Sequence, residues 1–109
     1  MAQKSLETAM SLIAVAGDSK SHSMEAVSLA KDGSFDEARA CVEKAKEAMI
    51  AAHDMQTSLI RSEVEGRGET PSLLMVHAQD HISGALLMRE LAEEFIDLYE
   101  KLKGMAGGA

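Results

Sequence analysis

The chain has 109 residues, of which 46% are hydrophobic but only 3% aromatic, with no Trp and one Pro. That length fits one domain, and a core filled by Ala, Leu and Met favours close-packed helices over a sheet rich in β-branched and aromatic side chains. The formal net charge of −7 argues against nucleic acid and anionic membrane surfaces as partners, because both require a basic patch.

No segment approaches the roughly 20 consecutive apolar residues of a membrane span. The N-terminal stretch "MAQKSLETAMSLIAVAGDSK" is broken too often by polar residues to act as a signal peptide, so a cytoplasmic location is expected. A monomer of this size buries only part of its apolar surface, which makes oligomerisation a route to stability.

In chain order, Leu6, Met10, Ile13, Gly17, Met24 and Val27 recur at spacings of three and four with Lys20 intruding. This predicts a first helix over about 3–32. Gly33 supplies a stop, since glycine tolerates the left-handed conformation at a helix C-terminus. "SFDE" restarts the pattern, with Ser34 and Glu37 placed as a capping box. A second helix is expected over 35–65, with Ala38, Val42, Ala45, Met49, Ala52, Met55 and Leu59 on one stripe. "GRGETP" then forms a loop, Thr70 can cap the next helix, and Pro71 suits a first helical position.

The third helix is expected over 72–103, about 48 Å long at roughly 1.5 Å per residue. Leu74, His77, His81, Gly84, Met88, Leu91, Phe95, Leu98 and Leu102 alternate spacings of three and four, the seam of a left-handed bundle. "GMAGGA", 104–109, reads as a flexible tail. Two short connections give an all-α, up-down-up three-helix bundle in a single domain. Leu73, Met75, Val76, Ile82 and Leu86 lie beside the seam, and this surplus apolar surface implies association with other subunits. Cys41 stands alone and reads as a small buried apolar residue.

The stretch "SLLMVHAQDHISG" places two titratable rings on that seam. His77 and His81 are one turn apart, and Asp80 lies beside them, three residues after His77. Each imidazole on a buried seam brings a desolvation cost and hydrogen-bond demands. Three chemistries fit. Histidines at i and i+4 can share a transition metal with a carboxylate or a second chain, in a purely structural assembly. A neutral imidazole can attack phosphorus. Protonation can open a pH-sensitive interface.

"LLMVHAQDH", followed by "LAEEFIDLYEKLK" and preceded by "AHDMQTSLI" and "MEAVSLAKDGSFDEARACVEKAKEAMIAAH", closely resembles the lactose/cellobiose (N,N′-diacetylchitobiose) class of phosphotransferase-system IIA proteins. The resemblance covers nearly the whole chain, and the nine residues around His77 are its specific part. It implies a homotrimer of three-helix subunits. It implies that His77 takes a phosphoryl group from phosphohistidine on the carrier HPr and passes it to a cysteine of the cognate IIB component. That transfer energises disaccharide uptake through the membrane IIC permease. It further implies that His81 supports the phosphate and that Asp80 meets its symmetry mates around one magnesium ion on the trimer axis. A hard cation with oxygen ligands would relieve the repulsion among three such carboxylates, worth several kcal/mol.

The chain departs from the family pattern just after His81. Ile82, Ser83 and Gly84 stand where the resemblance implies a Leu-Met-Thr-like continuation. A glycine inside a helix costs up to about 1 kcal/mol relative to alanine, though it permits close helix approach. His53 is read as structural or surface and His22 as solvent-exposed. Methionines 10, 24, 49, 55 and 88 are read as core filler. Met75 and Val76, just before the site, are candidates for a docking surface toward HPr and IIB.

Overall fold

A computed structural model describes residues 3–107. The chain folds into α1 (Gln3–Lys31), α2 (Phe35–Val64) and α3 (Leu73–Gly107), with no strand among the described residues. The bundle measures 62 × 21 × 20 Å. α1 packs along both other helices, while α2 and α3 touch each other far less. No helix among the described residues is long and apolar enough to cross a membrane.

Both helix stops are glycine-based. Gly33 has φ 81°; its amide reaches the Ala30 carbonyl at 3.0 Å, and the Ser34 amide reaches the Leu29 carbonyl at 2.9 Å. Gly66 repeats the arrangement with φ 78° and bonds from Gly66 and Arg67 to the carbonyls of Glu63 and Ser62. These paired bonds satisfy carbonyls that the last turn would otherwise orphan.

Two cap assignments differ from expectation. Ser34 holds the N-cap position of α2, but its side chain makes no capping hydrogen bond; only its carbonyl engages, accepting from the Ala38 amide at 2.9 Å. The capping box with Glu37 therefore does not form. At α3 the cap is Ser72 rather than Thr70: the Ser72 hydroxyl accepts from the Met75 amide at 3.1 Å. Pro71 accordingly precedes the cap. The segment expected as a tail continues α3 as far as Gly107, and the last two positions of that segment, 108 and 109, lie outside the described residues.

The core is built mainly of alanine, which supplies ten of the fifteen buried apolar side chains among the described residues. One cluster joins Ala9, Leu12 and Ala16 to Ala52, Ala78, Ile82 and Ala85. A second joins Ala26 and Ala30 to Ala38, Cys41, Val42, Ala92 and Ile96. Between them α1 buries Ser19, which donates to the Ala45 carbonyl at 3.0 Å, and Ser23, whose hydroxyl has no partner among the described residues. Cys41 is buried as expected.

Two of the three expected stripes are out of phase with this core. On α3 the residues facing α1 are Ala78, Ile82, Ala85, Ala92 and Ile96, each one position after the expected seam. On α1 they are Ala9, Leu12, Ala16, Ser19, Ser23 and Ala26, each one position before the expected stripe. One position is about 100° of helix rotation. The bulky stripe of α3, including Leu87, Leu91, Phe95, Leu98 and Leu102, faces outward, as do Leu6, Met10 and Met24 of α1. The physical reason is size: helices drawn close along their length accommodate alanine between them, and the larger side chains are left on the outer face. Only the α2 stripe holds its expected phase, with Met49, Met55 and Leu59 packed against the first cluster.

Candidate functional site

The site begins with the Ser72 cap, which orients the first turn of α3. One turn on, His77 emerges exposed and His81 half-buried. Their rings meet edge to face, with centroids 4.5 Å apart and planes at 84°. The two Nε2 atoms stand 3.0 Å apart. A third group, contributed by α1, completes the cluster: Lys20 Nζ lies 3.1 Å from His81 Nδ1.

These contacts assign the protons. An ammonium has only N–H donors, so Lys20 donates and His81 Nδ1 accepts. The proton of a neutral His81 ring is then on Nε2, from which it is donated to His77 Nε2. His77 Nε2 is left with its lone pair, and the ring's own proton resides on Nδ1. Partial burial, the Lys20 ammonium and the neighbouring His77 hold the His81 pKa below the usual histidine value, against an opposing pull from Asp80. A neutral His81 is thereby favoured, as the hydrogen-bond chain requires.

Asp80 stands apart from this chain of contacts. No group of three or more His, Cys, Asp or Glu side chains forms a metal-binding cluster among the described residues, so His77, Asp80 and His81 do not converge within one subunit. Asp80 is exposed and shares the outward stripe of α3 with Val76, Leu87, Leu91 and Leu98, at helical spacings of four and seven. It is one of two carboxylates, with the exposed Glu94, on a mostly apolar outer stripe. A single oxygen ligand cannot hold magnesium, whereas three copies meeting on this stripe would offer the hard oxygen donors that such an ion takes.

The remaining sequence-based candidates divide. His53 is exposed, but His22 is half-buried rather than open to solvent. Met10 and Met24 are exposed, not core. Val76 is exposed, whereas Met75 packs against the first core cluster and its sulfur accepts from Gln79 at 3.5 Å. Next to them runs a groove of about 470 Å³, lined in part by Thr8, Gln56, Leu59, Val76 and Gln79. Lys20 was the residue that sequence reasoning passed over. Its one signal was a charge interrupting an apolar stripe.

A family profile described as the PTS system lactose/cellobiose-specific IIA subunit matches residues 7–100. The chain belongs to this family. The lichenan-specific phosphotransferase enzyme IIA component of Bacillus subtilis is 42% identical over 93 residues, covering 85% of this chain and 84% of that one. The N,N′-diacetylchitobiose-specific EIIA component of Escherichia coli is 42% identical over 98 residues, 89% of this chain and 84% of its own. Among solved structures, the cellobiose-specific enzyme IIA of Bacillus anthracis superposes with a TM-score of 0.91 at 44% identity, covering 95% of each chain. The IIA of the E. coli chitobiose branch, solved in complex with HPr, matches with a TM-score of 0.80 at 38% identity, covering 94% of this chain and 99% of that one. This PTS IIA chain is thus a phosphotransfer component of a sugar transport system.

Proposed function

We propose that this PTS IIA protein accepts a phosphoryl group on His77 from phosphohistidine of HPr. It then delivers the group to a cysteine of its cognate IIB component. The downstream result is uptake and phosphorylation, through the IIC permease, of a disaccharide of the lactose, cellobiose or chitobiose type. The observation that carries this reading is the exposed His77 ring, whose Nε2 lone pair is maintained by the hydrogen-bond chain from Lys20 through His81. The similarity to a IIA solved in complex with HPr supports the choice of donor.

Phosphoryl transfer asks the protein mainly for positioning and charge stabilisation. His77 Nε2 attacks phosphorus in line; the new N–P bond forms from its lone pair while the donor's N–P bond breaks and its electron pair returns to the donor imidazole. His81 Nε2–H releases the His77 lone pair as the N–P bond forms and, being adjacent, is placed to donate to a phosphoryl oxygen instead. In the second transfer a thiolate attacks phosphorus, the His77 N–P bond breaks, and the lone pair returns to Nε2. His77 keeps its Nδ1 proton throughout.

We further infer a homotrimer in which the outward stripe of α3 is buried against its copies, with Asp80 from each subunit holding one magnesium ion on the axis. The ion would supply charge neutralisation and assembly, not chemistry at phosphorus. The rival reading is a structural bundle assembled by a transition metal at His77 and His81 with Asp80 or a second chain completing the shell; metal-dependent assembly in native mass measurement with and without chelator, together with no phosphate uptake, would favour it. The deciding experiment is labelling from phosphoenolpyruvate with enzyme I and HPr. The expected result is that His77→Gln abolishes labelling at unchanged helicity. A His77→Gln protein that still takes up phosphate refutes the assignment.

A further inference from the structure

Two oddities of the sequence meet at one point in the structure. Lys20 interrupts the apolar stripe of α1, and Gly84 interrupts α3 three residues after His81. A Cβ built on Gly84 would stand 3.2 Å from Lys20 Cε and 3.3 Å from Lys20 Nζ. The lysine therefore crosses α3 over a residue that has no side chain, and any other residue there would crowd the end of its path to His81 Nδ1, 3.1 Å away. The missing side chain at Gly84 leaves the room that this lysine occupies.

We propose that Lys20, seated over Gly84, is a positioning residue for phosphoryl transfer, fixing His81 in the Nε2–H tautomer and its ring in the orientation that serves His77. The inference rests on His77 being the phosphoryl acceptor. Its chemical logic is that a neutral imidazole has two tautomers and its ring can turn over. Without an outside donor, His77 and His81 can exchange roles, with His77 Nε2–H donating to His81 Nε2; in that arrangement His77 has no lone pair at the attacking atom. An ammonium on His81 Nδ1 removes this arrangement, because two donors cannot face each other across one contact. Lys20 also places a positive charge against His81, one ring away from the His77 nitrogen that takes the phosphoryl group.

The test uses the full-length protein and three variants, Lys20→Met, Lys20→Arg and Gly84→Ala. Long-range ¹H–¹⁵N spectra of the unphosphorylated protein report which nitrogen of each ring holds the proton, and single-turnover transfer from phospho-HPr reports the rate. In the unmodified protein, His81 is expected to be protonated at Nε2 and His77 at Nδ1. Lys20→Met is expected to introduce the exchanged tautomers and to slow transfer by up to about a hundredfold, the scale of a misplaced catalytic group, while labelling still reaches completion. Lys20→Arg retains a cationic donor and is expected to keep the tautomer and recover most of the rate. Gly84→Ala, which keeps the charge but crowds its path, is expected to fall between.

Unperturbed tautomers or an unchanged rate in Lys20→Met would overturn the proposal. So would equal slowing in Lys20→Arg with intact tautomers, which marks a merely structural contact. If Lys20→Met does not fold, Lys20→Arg and Gly84→Ala decide by the same two readouts. Failure of the unmodified protein to accept phosphate at His77 would instead refute the parent reading, and the tautomer spectra would still decide whether Lys20 orders His81.

Discussion

Replacing both Leu91 and Leu98 by alanine should dismantle the proposed trimer without unfolding the subunit. In the single chain the outer stripe of α3 is only half covered: Leu87, Leu91, Phe95, Leu98 and Leu102 each leave between 42% and 56% of their surface open. Fully burying a leucine contributes about 1.5–3 kcal/mol, so covering the remaining half contributes roughly 1 kcal/mol per side chain. The double substitution thus removes about 2 kcal/mol per subunit and about 6 kcal/mol per trimer, which is about four powers of ten in the association constant. Neither leucine belongs to the two core clusters, so far-UV circular dichroism should be unchanged. Sedimentation equilibrium over a range of concentrations reads the outcome. An unmodified chain that sediments as a monomer, or a double variant that associates as tightly as the unmodified chain, would refute the reasoning.

Three further expectations concern other parts of the molecule. Chelation should weaken the trimer of the unmodified protein, because three uncompensated Asp80 carboxylates repel one another by several kcal/mol; Asp80→Asn should assemble independently of chelator, and chelator-insensitive assembly of the unmodified chain would contradict the shared ion. Ser23→Ala should stabilise the protein by about 1 kcal/mol, since it deletes a buried hydroxyl with no partner and the desolvation cost that goes with it; thermal unfolding at matched protein concentration should shift upward by about 4 °C, and a lower midpoint would indicate a missed partner. Burial pushes the Cys41 thiol above its ordinary pKa, so the thiolate is scarce at neutral pH and iodoacetamide should modify the folded protein slowly but the denatured chain fast. Rapid modification of the native protein would contradict the packing of the second cluster.

The helices and their glycine stops were legible in the sequence because they depend on local chemistry. Gly33 sits where an αL residue is needed, and apolar spacing marks each helix wherever its face is turned. The direction of each face was harder to read. On α3, Leu91, Phe95 and Leu98 outweigh Ala85, Ala92 and Ile96 in any hydrophobic tally, yet the alanines face α1 because the helices pack closely and leave the larger residues outside. Apolar weight thus marked an outward face as the interior seam. The caps failed for a different reason: Thr70 and Ser72 are both chemically able to cap, and only the three-dimensional course of the loop selects Ser72.

His77 and His81 were visible as a pair because i and i+4 positions adjoin on any helix. Lys20 was not, since its partner is 61 residues away in sequence and only the packing of α1 on α3 brings them together. Gly84 looked like a defect until that packing showed what passes over it. Asp80 was grouped with the histidines by its position in the chain, but it lies on the neighbouring stripe and does not complete a cluster with them.

In the proposed function, one ring nitrogen on α3 carries the phosphoryl group between two proteins. The most direct measurement is mass-spectrometric and NMR localisation of phosphate on the unmodified protein after incubation with phospho-HPr, kept at neutral to alkaline pH. One phosphoryl group per subunit is expected, bonded to Nε2 of His77 and lost on addition of the IIB component. Phosphate found on His81, on any other residue or at the Nδ1 position of His77 would contradict it.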